Sequence, residues 1–275
     1  MLRALAAGSL VAMLCAIAGT FVVLRGLAFI GDALAHGVLP GVAGALLLGA
    51  PGILGAAIGS AVMIVGVSVI TNRTRLSSDT AIGMLFVGML ALGVIIVSRS
   101  DEFTGDIVRI LFGEILGIDR GDLWLLLTAA LAIAAAAAVL ARPFLLLCFD
   151  PEQADVSGFP SARYHVAMLV MVATTVVVSF QAVGTMLVFG MLIAPAGAGA
   201  LLARRVAAMM AWATGLGVMS VYAGLLLSYH HDLAAGATIV FVSVCAFFVV
   251  LVIQGARSGR TVRRSQHERP AVSTA

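Results

Sequence analysis

Long apolar runs broken by brief polar punctuation set the pattern of this chain. Crossing a bilayer as a helix takes about 17–25 residues. Runs of that kind are predicted at 5–24, 29–49, 52–71, 80–98, 121–147, 163–182, 184–201, 206–228 and 235–254. The joins around Pro51 and Gly184 are tight, so one of these runs can be a re-entrant or broken helix, which would leave eight spans. The expected fold class is an all-α membrane protein, a polytopic bundle of 8–9 transmembrane helices. In lipid the backbone must satisfy its own hydrogen bonds, which leaves helices as the spanning form for runs of this length. The first run lacks a clear cleavage site and is closely followed by a second, so it is read as a retained helix and not a signal peptide.

Three polar stretches stand out. Residues 98–122 carry Asp101, Glu102, Asp106, Arg109, Glu114, Asp119, Arg120 and Asp122, with an amphipathic run at 107–116 that reads as a helix lying on the membrane surface. This segment fits either a docking platform or a solvated loop packed over the bundle. In residues 149–160, Asp150 or Pro151 can start a short helix that Gly158 and Pro160 stop, and the stretch equally fits a plain connecting loop. The polar tail 256–275 is expected to be basic, cytoplasmic and disordered, set apart from the membrane domain at 1–255.

Composition agrees with a membrane assignment. The chain has 275 residues, of which 62% are apolar and only 11% charged, and its mean hydropathy is +1.15. Soluble domains carry about 25% charged residues. The net charge of +3 comes from arginine alone, since there is no lysine. Its distribution orients the chain. Arg25, Arg73, Arg75, Arg142, Arg163, Arg204, Arg205 and the arginines of the tail fall on one side, expected to be cytoplasmic. Arg3, Arg99, Arg109 and Arg120 fall on the other. That places the C-terminus in the cytoplasm and gives no reason to expect nucleic-acid binding. Cys15, Cys148 and Cys245 are scattered singly in or beside apolar runs and form neither a disulfide framework nor a Cys-x-x-Cys metal site.

The stretch 29–41 holds the chain's most costly groups. Asp32 and His36 are four residues apart, so a helix stacks them on one face. A charged group near the bilayer centre costs about 2.5–3.5 kcal/mol on insertion scales, so such residues usually face a cavity or pathway. Carboxylate plus imidazole is also a donor set for divalent zinc, manganese or iron. Gly31, Gly37, Gly41 and Gly44 leave room for a neighbouring helix to approach, and Pro40 removes a backbone donor. The residues alone leave a second reading open, in which Asp32 caps a helix and His36 is a hydrogen-bonded core histidine.

Two more stretches hold candidate chemistry. In 184–205, Pro195 is expected to kink or break the span, with small residues and then Arg204-Arg205 behind it. This fits a cytoplasmic contact helix for a partner, and equally a kinked span with a positive anchor. In 228–236, His230, His231 and Asp232 are candidates for capturing metal at an outer entrance, or form a plain polar turn. His165, beside Arg163 and Tyr164, reads as an interface anchor. No phosphate-binding Gly-x-x-x-x-Gly-Lys-Ser/Thr loop, nucleophile set or metalloprotease motif occurs, so the chain is expected not to be an enzyme and to bind no cofactor.

Taken together, residues 24–41, 111–117, 149–160, 183–205 and 228–239 resemble, in order, the membrane permease subunits of ATP-binding-cassette importers for zinc, manganese or iron. The resemblance implies a homodimer of permeases carrying two cytoplasmic ATPase subunits that hydrolyse ATP, fed by an extracytoplasmic metal-binding protein at the bacterial inner membrane. It implies that Asp32 and His36 are pathway ligands for the transported metal. The region from Pro195 to Arg204 and Arg205 looks like the coupling element seated on the ATPase. Arg99, Arg109 and Arg120 are then candidates for docking the binding protein through its carboxylates. The chain departs from the family pattern at His230 and His231, at Ala234 and at Ala35. Two other functions remain open: a permease for a metal chelate such as a siderophore or cobalamin, and a stand-alone ion-coupled transporter.

Overall fold

A computed structural model describes residues 2–74, 76–98 and 117–267. The described residues are helical, without strands. The helices are α1 (Leu2–Arg25), α2 (Ala28–Leu47), α3 (Gly52–Arg73), α4 (Ser78–Val97), α5 (Arg120–Val139), α6 (Ala141–Phe149), α7 (Pro151–Val156), α8 (Ser161–Val183), α9 (Thr185–Leu202), α10 (Val206–His231) and α11 (Ala235–His267). Nine of them are long and apolar enough to cross a membrane. Their bounds follow the apolar runs, and the tight joins at Pro51 and Gly184 separate full-length helices. Gly184 manages its join alone: at φ 81° it ends α8 and begins α9, a conformation that side-chain-bearing residues rarely adopt.

One expected span is divided. The run 121–147 reads as a single helix, but α5 ends at Val139 and α6 starts at Ala141. Pro143 explains the break. It has no N–H for the Val139 carbonyl, and its ring would clash with that carbonyl in a continuous helix. The chain turns at Leu140, and α6 lies back against α1. Phe21 and Phe144, both fully buried, meet edge to face with ring centroids 5.2 Å apart. Arg25, ending α1, donates to the Leu147 carbonyl in the last turn of α6, where a cation also suits the helix dipole.

α1 is the most enclosed span, with 67% of its apolar window buried, and it packs on α5, α8, α9 and α10. α9, α10 and α11 pack together, α2 packs with α3 and α4, and α2 also meets α8 and α9. Between membrane helices the hydrophobic drive is weak, so backbone approach and shape dominate. Glycines supply that approach where α2 meets α3. A Cβ on Gly41 would strike the Gly55 carbonyl oxygen, and one on Gly59 would strike that of Gly37.

The 149–160 segment forms as its residues dictate. Asp150 caps α7 by accepting from Gln153 N–H at 2.9 Å, Pro151 occupies the first turn, and Gly158 turns the chain at φ 84°. The Asp155 carboxylate then accepts from Ser161 N–H at 2.6 Å and from the Ser161 hydroxyl at 2.8 Å, tying α7 to the start of α8.

Candidate metal pathway

Asp32 does not cap its helix. α2 begins at Ala28, with Leu27 in the capping position and no side chain bonded to the free N–H groups. Asp32 therefore sits in the second turn, and His36 near the middle of a 20-residue span. Both side chains are half-buried, His36 at 24% and Asp32 at 31% exposure. His36 Nε2 stands 3.4 Å from Asp32 Oδ1. That is wider than an ordinary N–H···O bond of about 2.7–3.2 Å. It matches the spacing of two donors that share one ion: ligands about 2.1 Å from a metal at a tetrahedral angle lie about 3.4 Å apart.

The other imidazole nitrogen, Nδ1, is buried and has no hydrogen-bond partner among the described residues. The ring is instead held by Phe86 of α4, edge to face, with centroids 5.2 Å apart and planes at 76°. Among the described residues, no hydrogen bond to Nδ1 anchors His36 as it would a core histidine. Around the pair, Gly31 faces Leu192 and Phe189 of α9, Gly37 faces Met63 of α3, and Gly93 of α4 lies against Pro40. The site thus lies where α2, α3, α4 and α9 converge, with Pro40 buried on the same face, one turn beyond His36.

Pro195 lies inside α9, buried, and the helix runs through it to Leu202 without a separate short helix behind it. A proline costs one backbone bond, and packed neighbours make that tolerable within a bundle. The small residues after it serve a tight reversal instead: a Cβ on Gly199 would lie 2.7 Å from the Met209 carbonyl oxygen of α10. Arg204 and Arg205 are exposed on the extended turn between α9 and α10. At the far end of α10, His230 Nδ1 pairs with the Leu226 carbonyl at 2.8 Å, His231 is exposed, and Asp232 adopts a left-handed conformation at φ 49°. Among the described residues no three His, Cys, Asp or Glu side chains converge as a metal site. Arg120 is exposed at the start of α5, where Asp122 accepts from Asp119 N–H at 3.1 Å. Arg99, Arg109 and the amphipathic run 107–116 lie outside the described residues.

Sequence reasoning missed Phe86. Its only signal was an aromatic in an apolar span, and the contact with His36 joins residues fifty positions apart.

A multi-pass helical membrane protein with a carboxylate–imidazole pair inside a span is the class defined by this geometry. The profile of the ABC 3 transport family matches residues 1–254, and the chain belongs to that family. It is 36% identical over 245 residues to a manganese transport system membrane protein, MntC, of Halalkalibacterium halodurans, covering 89% of this chain and 84% of the relative. It is also 36% identical over 252 residues to a chelated iron transport system membrane protein, YfeD, of Yersinia pestis, covering 92% and 84%. Among solved structures it is similar to PsaBC from Streptococcus pneumoniae in complex with Fab, with a TM-score of 0.80 and 31% identity over 90% of this chain and 89% of that one. An inward-facing putative metal-chelate type ABC transporter shares the fold, with a TM-score of 0.70 at 19% identity. The chain is a membrane permease subunit of a metal ABC transporter.

Proposed function

We propose that the chain imports a free divalent cation, manganese, iron or zinc, through a pathway lined by Asp32 and His36. The observation that carries the reading is the pair itself: two donors 3.4 Å apart, partly exposed inside a span. A carboxylate within an apolar span is costly to leave against lipid, so its open side is read as facing an aqueous route or a second subunit. The described residues of one chain bring two ligands together here, and a metal commonly takes four or more. A homodimer with α2 near its axis brings two such pairs to one ion and closes both open faces. A chelate arrives with its ligands already filled, so a bare-ion donor set favours a free cation over a siderophore or cobalamin complex.

Two cytoplasmic ATPase subunits drive the cycle, contacting the turn at Arg204 and Arg205 behind Pro195. An extracytoplasmic metal-binding protein delivers the ion on the opposite face, where Arg99, Arg109 and Arg120 pair with its carboxylates. In this arrangement the chain sits in the bacterial inner membrane with its C-terminus in the cytoplasm. Metal binding requires an ionised Asp32 and a neutral His36. A stand-alone transporter would need no second protein. Purifying the chain from its own host and asking whether an ATPase subunit accompanies it tests this drive: recovery of the permease alone, fully active in metal uptake, would overturn the proposal that two ATPase subunits power it.

A further inference from the structure

The way His36 is held suggests a part for Phe86. A metal-ligating histidine is ordinarily fixed by a hydrogen bond from its second nitrogen to a carboxylate, a carbonyl or water, and loss of that partner costs about 10–100-fold in metal affinity or activity. Here Nδ1 is buried and no described residue supplies such a partner, so no side chain or carbonyl among the described residues fixes the ring by a hydrogen bond at that nitrogen. What touches the ring is the aromatic side chain of Phe86, edge to face at 5.2 Å and 76°. Aromatic pairs prefer this arrangement, which is worth about 0.5–1.5 kcal/mol beyond area burial. In that arrangement Nε2 stands 3.4 Å from Asp32 Oδ1.

We infer that Phe86 is the positioning residue of the pathway: by fixing the His36 ring it sets the distance between the two donors and hence how tightly the passing cation is held. The inference rests on the reading of Asp32 and His36 as metal ligands. Its second consequence follows from where Phe86 sits. It belongs to α4, whereas both ligands belong to α2. A shift of α4 against α2 therefore moves the imidazole without moving the carboxylate, which opens the pair. A contact of this kind permits release, where a hydrogen-bonded anchor would hold the ring in place.

The test uses the full permease with its ATPase subunits in proteoliposomes supplied with the metal-loaded binding protein at saturating and sub-saturating levels, measuring initial rates of manganese uptake per folded permease. Phe86→Ala is expected to raise KM about ten-fold, in line with loss of a ligand-orienting partner, with little change in Vmax. Phe86→Tyr keeps the aromatic edge and is expected to restore the wild-type KM. Phe86→Ala with unchanged KM, or a fall in Vmax alone that Phe86→Tyr fails to rescue, would overturn the inference while His36→Ala still abolishes uptake. Should His36→Ala itself leave uptake intact, the pathway reading fails, and the positioning role with it. Should Phe86→Ala not fold, Phe86→Leu replaces it as a volume-filling variant without an aromatic edge, with the same KM criterion.

Discussion

Gly41 on α2 and Gly55 on α3 each occupy the space a side chain of the other would need: a Cβ on either would run into the other's carbonyl oxygen. One turn away the approach is repeated in one direction: a Cβ on Gly59 would run into the Gly37 carbonyl oxygen, while one on Gly37 would meet Met63. This backbone contact fixes the helix that carries Asp32 and His36. Gly41→Ala is therefore expected to destabilise the protein by about 1–3 kcal/mol or more, read as a lower Tm in detergent. Gly44→Ala, where a Cβ meets nothing within 4 Å, is the control and should leave Tm unchanged.

A pH dependence follows from the corner between α7 and α8. The two hydrogen bonds from Ser161 stabilise the ionised Asp155 carboxylate and hold its pKa below the ordinary 3.8. A carboxyl whose folded pKa is depressed contributes stability that is complete above its unfolded value and is lost as pH falls through the folded one. The Tm difference between wild type and Asp155→Asn should be constant from about pH 7 to 5 and shrink as acidification protonates the carboxyl. A difference that grows below pH 4 would contradict this.

How much of this was legible in the residues varies by element. The helix bounds were, because lipid leaves helix as the only way to satisfy a long apolar backbone, and the apolar runs mark its length. The close approach along α2 was legible as a glycine series, though its partner α3 was not. The break at Leu140 was written in Pro143, but the run 121–147 stays apolar through it, and hydropathy cannot register a missing N–H. At Pro195 the same signal pointed the other way: the proline is present and the helix continues, since packing decides whether one lost bond ends a helix. The spacing of Asp32 and His36 put them on one face. What the spacing could not reveal was the open Nδ1 or the ring of Phe86, because both depend on how α4 lies across α2.

Orientation is open to labelling. In a background with Cys15, Cys148 and Cys245 replaced by alanine, a cysteine at exposed Ser157 should react with a membrane-impermeant maleimide only after cells are opened. A cysteine at exposed Leu233, beyond α10, should react in intact cells. The reverse pattern would invert the proposed topology.

Coupling to the ATPase is proposed at the turn between α9 and α10. Reversing both charges, Arg204→Glu with Arg205→Glu, should reduce co-purified ATPase subunit several-fold and abolish metal-dependent ATP hydrolysis, with Tm little changed because both side chains are exposed. Full retention of the ATPase would move the contact elsewhere.

The central claim is that a carboxylate and an imidazole, 3.4 Å apart on α2, hold the cation in transit. The most direct measurement is uptake of radioactive manganese, iron and zinc by cells making equal amounts of wild type, Asp32→Ala or His36→Ala permease together with its ATPase and binding protein. Each substitution is expected to reduce uptake of the transported ion to background while leaving the assembled complex intact. Wild-type uptake by either variant would contradict the account.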